Sequence, residues 1–251
     1  SYSKKDRPVI DFVFAVKDPT EWHLANMRQR PQDYWTLPKI ARRSFFEHFN
    51  DHTLFYNPYV DFEGTLIKYG VLSVDALLDD LHNWTQLYVA GRLHKPVKML
   101  ATTEEIHVAV HKNLEHAAHV AMLMLPETFT DGQFLETVAG ISYLGDTRMN
   151  IAENGNKVAN IVNGSGRRIK ELYEGVLEAE IQSGRLVPVE SGYHQEFFRD
   201  ISQRLSLLPS EVSRRLSDDQ GDVEESIRGA IASIVHDSSL RQTKAGFLAA
   251  G

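Results

Sequence analysis

One aspartate near the start of the chain lies among apolar residues. Asp11 is the single carboxylate in residues 9–16, VIDFVFAV, a run of strand-forming residues. Side chains alternate between the two faces of a strand, so Asp11 shares its face with Val13 and Ala15. A charge in that setting costs free energy unless a cation, a hydrogen-bonding partner or water meets it. Two interpretations follow: a carboxylate that holds a metal ion, or an acid at a strand end in contact with solvent.

A basic run is the second group that could do chemistry. Arg92, His94, Lys95 and Lys98 fall within the stretch AGRLHKPVKML. Cations this close repel one another unless water solvates them or an anion faces them. Triphosphates and phospholipid head groups are anions that lysine and arginine bind. The run therefore indicates either an anion site or an exposed basic rim.

Three other patterns carry weaker signals. Asp146 and Arg148 in YLGDTRM form a polar pair that also fits a salt-bridged helix end. The NGSG at 163–166 has the glycines of a turn that could cradle a phosphate before a helix, but it lacks the lysine of a P-loop and a preceding strand, so a simple loop is the favoured interpretation. His107 and His111 have the spacing of a helical metal-binding pair, but HExxH is absent and they are predicted to border an apolar stripe.

Composition limits the class of protein. The 251 residues are 42% hydrophobic and 24% charged, which is typical of a globular chain. Cysteine is absent, which excludes disulfides, thiolate catalysis and zinc sites with cysteine ligands. The formal net charge of -7 argues against nucleic acid as a partner. The apolar run at 117–125 is too short to cross a bilayer and predicts a buried helix.

The order of patterns predicts an α+β chain in two parts. Strand patterns at 9–16 and on both sides of Glu63-Gly64, which predicts a hairpin turn, alternate with helical patterns at 20–30, 36–50 and 74–88. Asp18-Pro19 predicts the start of the first helix, and Asp18 has either a capping or a catalytic role. Beyond Thr103 the chain is mostly helical, with a β-ribbon predicted at 183–198. We place the boundary between residues 101 and 102.

Several phrases together resemble one family. In order along the chain they are IDFVFAVKDPTEWH, LIKYGVLS, LYVAGRLHKPVK, LPETF, ISYLGDTRM, NKVANIV and SSLRQTKAGFLAAG. They are similar to the mitochondrial phosphatidate cytidylyltransferases, also called the mitochondrial translocator assembly and maintenance proteins. The resemblance covers nearly the whole chain, and residues 174–237 diverge most.

The resemblance implies a fold and an activity. The fold would be a nucleotidyltransferase-type domain like that of DNA polymerase β at 1–101, followed by a mostly helical, winged-helix-like domain at 102–251 whose tail returns toward the site. The activity would convert CTP and phosphatidic acid to CDP-diacylglycerol and pyrophosphate with Mg²⁺, for cardiolipin synthesis. The protein would be peripheral on the matrix side of the mitochondrial inner membrane, in contact with anionic lipid. A non-catalytic factor for mitochondrial import is the alternative.

The resemblance also implies residue roles. Asp11 would bind the metal ion, and Asp146 would be a second acid with Arg148 beside it. The candidates for binding or activating the substrates are Lys68, Tyr69, Arg92, Lys95, Lys98, Arg241 and Lys244.

Two departures from the family pattern concern the metal and the triphosphate. The acidic strand usually has a second acid two residues on, where this chain has Val13, so Asp61, Glu63 and Asp146 compete as the second ligand. A Gly-Ser loop usually precedes the strand and is expected to lie upstream of Ser1. A membrane-binding segment is expected beyond Gly251.

Overall fold

The structure is a computed structural model in which the chain forms two compact units. It describes residues 9–34, 43, 46–47, 54–146, 156–195, 203–216 and 222–250, except the side chains of 59 and 244–250. One unit comprises Ser1–Leu77 with Leu240–Gly251, and the other comprises Leu78–Ser239. The predicted boundary between 101 and 102 thus falls inside the second unit. Most of the helix predicted at 36–50 lies outside the described residues.

A mixed sheet forms the centre of the first unit. Its strands are β1 (Ile10–Val16), β2 (Phe55–Phe62) and β3 (Thr65–Ser73), in the order β1-β3-β2. β1 runs parallel to β3, and β2 runs antiparallel to it. The predicted hairpin at Glu63-Gly64 is confirmed, because both residues have the positive φ angles, 48° and 82°, of a tight hairpin turn.

Helix α1 (Pro19–Gln29) covers one face of this sheet. It begins where Asp18 accepts a hydrogen bond from the N–H of Glu21 at 3.0 Å, so the capping role considered for Asp18 is confirmed. Trp22 of α1 packs on the same cluster as Phe12, Tyr69 and Val71. The apolar face of the sheet is therefore turned toward α1.

The second unit is largely helical, with one small sheet. Helix α2 (Val74–Asn83) begins in the first unit, and helix α8 ends there. Among the described residues the second unit also contains α3 (Ala90–Leu93), α4 (Glu104–Leu123), β4 (Thr128–Phe129), α5 (Asp131–Gly140), a 3-10 turn (Ile141–Tyr143), α6 (Lys157–Gln182), β5 (Leu186–Val189), β6 (Gly192–Gln195), α7 (Ser210–Arg215) and α8 (Val223–Ala250). The predicted ribbon is confirmed by the antiparallel pairing of β5 with β6.

Two sequence-based predictions about helices are wrong. The NGSG stretch is not a loop, since it lies inside α6. Each glycine costs a helix about 1 kcal/mol, and burial of side chains such as Tyr173 and Leu177 farther along the same helix offsets that cost. The helix predicted at 74–88 ends at Asn83, because Trp84 takes a left-handed φ of 58° and its backbone leaves the helix.

A buried aspartate holds the backbone that follows α2. The carboxylate of Asp80 is 4% exposed. It accepts four backbone hydrogen bonds, from Gln86 at 2.9 Å, Leu87 at 2.7 Å, Val89 at 2.9 Å and Ala90 at 3.0 Å. The loop also contains Leu87 at φ 53°, a conformation that disfavours non-glycine residues. The Asp80 carboxylate therefore fixes the start of α3, which carries Arg92.

Replacing Asp80 with asparagine is expected to destabilise the protein. In Asp80→Asn, an amide N–H₂ replaces a carboxylate oxygen that accepts two backbone hydrogen bonds in the wild-type protein. Two buried N–H groups would then face another donor. We expect a loss of about 3 kcal/mol in the free energy of unfolding, measured with urea. The control Asp75→Asn, at an exposed position one turn earlier, should change it by less than about 0.5 kcal/mol. Equal stability of the two variants would contradict a structural role for Asp80.

Candidate phosphate-binding site

The first unit places the candidate metal ligand next to a lysine. Asp11 and Lys68 are paired positions on the parallel strands β1 and β3, so their side chains leave the same face of the sheet. We call this surface the Asp11–Lys68 face. Asp11 is exposed, and Val13 on the same face is 39% exposed. Asp11 is therefore in contact with solvent and is also accessible to a metal ion, so both interpretations of this residue stay open.

Tyr56 and Gly70 hold Lys68 in place on this face. The Lys68 ammonium lies 4.4 Å from the centre of the Tyr56 ring, a cation–π contact. Tyr56 is paired with Gly70 across β2 and β3, and a Cβ at Gly70 would come within 2.8 Å of the Tyr56 ring. A side chain at position 70 would displace the tyrosine. Sequence reasoning missed both residues, although a glycine inside a strand signals a close approach.

Tyr69 has a different position from the one predicted for a substrate ligand. It is 4% exposed, and its side chain leaves the face of the sheet opposite to Lys68. Its hydroxyl accepts hydrogen bonds from Asn26 at 2.8 Å and Asn57 at 2.7 Å, and donates to Asp33 at 3.3 Å. Burial raises the pKa of Tyr69. These contacts favour a structural role, and we leave Tyr69 out of the candidate ligands.

The end of the chain, which belongs to the first unit, contacts Leu54. With its side-chain amide turned so that both groups are satisfied, Gln242 donates to the Leu54 carbonyl and accepts from the Leu54 N–H, both at 3.2 Å. Leu54 directly precedes β2, and its side chain lies against Gly70. Arg241 is exposed, and the side chain of Lys244 lies outside the described residues. The tail thus contacts the chain just before β2.

In the second unit, two lysines share one aromatic ring. The ammonium groups of Lys95 and Lys157 lie 4.8 and 4.9 Å from the centre of the Tyr143 ring, and Lys95 donates to the Ser142 hydroxyl at 3.0 Å. We call this group the Lys95–Lys157 cluster. Burial, together with repulsion from Arg92 and Lys157, lowers the pKa of Lys95 to about 7. Concentrated positive charge of this kind suits a phosphate group.

Helix α3 lies very close to Ser142, which contacts Lys95 of this cluster. A Cβ at Gly91 would lie 2.3 Å from the Cβ of Ser142, so only glycine allows this approach. Arg92 donates to the carbonyl of Tyr88 at 2.8 Å, and its guanidinium lies 4.0 Å from the centre of that tyrosine's ring. The sequence contained no signal that Ser142 would meet Gly91.

The predicted basic run divides into three environments. Lys95 belongs to the cluster, Arg92 lies next to it, and Lys98 is exposed. His94 is fully buried, and its Nε2 is 3.2 Å from Asn113 Oδ1. Burial lowers the pKa of His94 to about 3, so the ring is neutral near pH 7 and adds no positive charge. The anion-site interpretation therefore rests on Arg92 and Lys95, and the exposed-rim interpretation describes Lys98.

The acids proposed as a second metal ligand differ in their availability. Asp146 is 5% exposed and belongs to the second unit, whereas Asp11 belongs to the first. Asp61 accepts a hydrogen bond from the N–H of Gly64 at 2.9 Å, so it stabilises the hairpin turn. Arg148 lies outside the described residues. Within the described part of the chain no three acids or histidines form a group that could hold a metal ion, so the second ligand stays a prediction.

The mixed α/β chain has an exposed acid beside a lysine and a separate cluster of cations, which are groups suited to phosphate compounds. The family model for phosphatidate cytidylyltransferase, mitochondrial, matches residues 1–220. The mouse enzyme of that name is 36% identical over 98% of this chain and 80% of its own length. The Schizosaccharomyces pombe enzyme is 38% identical over 90% of this chain and 55% of its own length, and the human enzyme is 33% identical over 99% and 60%. The chain belongs to the mitochondrial phosphatidate cytidylyltransferase family.

None of the described helices combines the length and the apolar character that a bilayer crossing needs.

Removing the charge of Lys95 is expected to stabilise the protein. Because the folded pKa of Lys95 lies below its usual value, keeping this lysine charged costs folding free energy at pH 6, and the cost falls as pH rises above about 7. Lys95→Met should raise the free energy of unfolding at pH 6 by about 2 kcal/mol, with a smaller gain at pH 9. Lys112→Met, at a surface lysine paired with Glu115, serves as the control and should change stability by less than about 0.5 kcal/mol. A destabilised Lys95→Met at pH 6 would contradict the assigned environment.

Proposed function

We propose that this chain transfers the cytidylyl group of CTP to phosphatidic acid, forming CDP-diacylglycerol and pyrophosphate. The observation that carries the proposal is the family match over residues 1–220, which includes both candidate phosphate-binding groups. The relatives' name specifies phosphatidate as the acceptor and cytidylyl as the transferred group. The alternative, a non-catalytic import factor, gains no support from these names.

In this reaction the main task of the protein is to neutralise negative charge on the reacting groups. An oxygen of the lipid phosphate attacks the α-phosphorus of CTP, a new O–P bond forms, and the bond to pyrophosphate breaks. Both reactants are anions, and negative charge builds up on the departing pyrophosphate. Fixed cations that face these oxygens lower the barrier because they are already oriented before the reaction. We assign this task to Lys68 of the first unit, and Arg92 and Lys95 of the second unit stay candidate phosphate-binding residues.

We assign Mg²⁺ binding to Asp11. Mg²⁺ is commonly held by one or two carboxylates together with substrate phosphate oxygens, so a single exposed aspartate next to a phosphate-binding lysine fits its requirements. When bound, the ion would neutralise charge on the phosphates of CTP. Asp11 would then orient the nucleotide over the sheet. Lys68, at the paired position of β3, would bind a phosphate of the same nucleotide. Asp146 stays our predicted second acid.

Fold family and location also belong to this proposal. We assign the first unit to the nucleotidyltransferase type found in DNA polymerase β, and the helical part of the chain to a winged-helix-like type. The mixed sheet and the small β-ribbon among helices support these assignments. The relatives' names support a mitochondrial location. We place the protein peripherally on the matrix side of the inner membrane, where its product would feed cardiolipin synthesis.

Loss of the Asp11 carboxylate is expected to abolish turnover. With CTP, Mg²⁺ and phosphatidic acid in detergent, the wild-type chain should form CDP-diacylglycerol. Asp11→Asn should form it at least roughly 100-fold more slowly, since charge neutralisation by metal ions and oriented groups supplies several kcal/mol. Circular dichroism should be unchanged, because Asp11 is exposed.

Asp61→Asn is the matched control on the same sheet. Asparagine can still accept the hydrogen bond from Gly64, so this variant should stay within about twofold of wild type. A fully active Asp11→Asn would remove Asp11 from the site. An inactive Asp61→Asn that keeps its fold would make Asp61 the metal ligand, and no product from the folded wild-type chain would overturn the proposed reaction.

A further inference from the structure

An exposed apolar segment follows the cation cluster directly. Val97, Met99 and Leu100 are 51%, 40% and 66% exposed, and the exposed Lys98 lies among them. These four residues are outside any helix or strand. Isolated apolar side chains on a surface are ordinary. Three within four residues form a patch whose exposure to water is unfavourable. We call residues 97–100 the apolar segment.

The apolar segment is tied to the Lys95–Lys157 cluster by the chain itself. Lys95 is held by Ser142 and by the Tyr143 ring. Val97 is only two residues farther on, and Leu100 lies at most about 18 Å of extended chain from Lys95. The apolar side chains therefore lie within a few residues along the chain of an anion bound at Lys95.

We propose that the apolar segment inserts into the surface of a bilayer containing phosphatidic acid and brings the lipid phosphate to the Lys95–Lys157 cluster. The inference rests on the proposed function, in that it identifies how the lipid substrate reaches the protein. Val97, Met99 and Leu100 enter the boundary between head groups and acyl chains, a layer about 5–10 Å deep. Lys98 keeps its ammonium at the level of the anionic head groups while its aliphatic stem remains among the lipids.

Charge and size favour a lipid surface over a protein partner. A stable protein interface buries about 800 Å² on each side, and four residues without regular structure provide much less. A bilayer needs no matching shape, and a lysine among apolar residues complements its anionic surface. The cations beside the segment bind the same phosphate group that the lipid presents.

Flotation with vesicles tests the contact without using activity. The full chain is mixed with vesicles of phosphatidylcholine alone, with added phosphatidic acid, or with added phosphatidylserine. Val97→Ser/Leu100→Ser should bind the vesicles with phosphatidic acid about tenfold less than wild type. The matched control is Val187→Ser/Val189→Ser, since those valines of β5 are 45% and 41% exposed; it should bind like wild type. The wild-type chain should prefer vesicles with phosphatidic acid to those with phosphatidylserine.

An activity measurement then separates lipid access from chemistry. On a short-chain phosphatidic acid that is monomeric in water, Val97→Ser/Leu100→Ser should form product at the wild-type rate. On phosphatidic acid in vesicles its rate should fall about tenfold. If wild type forms no product from either lipid while the variant still loses vesicle binding, the proposed function fails and the membrane contact stands.

Three results would overturn the inference. The first is equal vesicle binding by the variant and wild type. The second is an equal loss of activity on monomeric and vesicle lipid, which would place the apolar segment in the folded site instead. The third is an unchanged affinity for vesicles together with a loss of self-association in gel filtration, which would identify a second copy of the chain as the partner.

Discussion

The parallel pairing of β1 with β3 determines what the first unit can do. It aligns Asp11 with Lys68, and the buried side of the same strands fixes the register through Phe12 and Tyr69. A shift by one residue would turn the acid toward α1 and expose the apolar side chains, at a large cost in free energy. Core packing on one face thus keeps an acid and a lysine available on the other. The cation–π contact with Tyr56 orients that lysine further.

The second unit positions its cations by a different means and at a cost. The Asp80 carboxylate holds the loop that leads into α3, and Gly91 lets that helix approach Ser142. Lys95 lies near two other cations, and burial together with their repulsion lowers the pKa of its ammonium to about 7. A phosphate group bound there would relieve this repulsion, and phosphate binding by Lys95 stays our proposal. A lipid phosphate bound there would also explain why an apolar, exposed segment follows at once.

Local chemistry was predictable from the sequence, and long-range contacts were not. Glu63-Gly64 has the turn signal of a hairpin, Asp18 before Pro19 has the pattern of a helix start, and both predictions are confirmed. The alternation of a strand already implied that Lys68 and Tyr69 face opposite sides, so the prediction of both as ligands conflicted with the period of two. The division of the basic run depends on Asp80 and on Ser142, which lie 12 residues before and 50 residues after Arg92. Spacing within the run cannot show such partners.

The fate of the individual phosphorus atoms of CTP tests the central claim most directly. The chain is incubated with phosphatidic acid and Mg²⁺, and with CTP labelled either at the α-phosphate or at the γ-phosphate. Cytidylyl transfer predicts that the α-label appears in the lipid product and the γ-label in pyrophosphate. Label from the γ-phosphate in the lipid would identify a phosphoryl transfer instead, and an unlabelled lipid in both reactions would contradict the account.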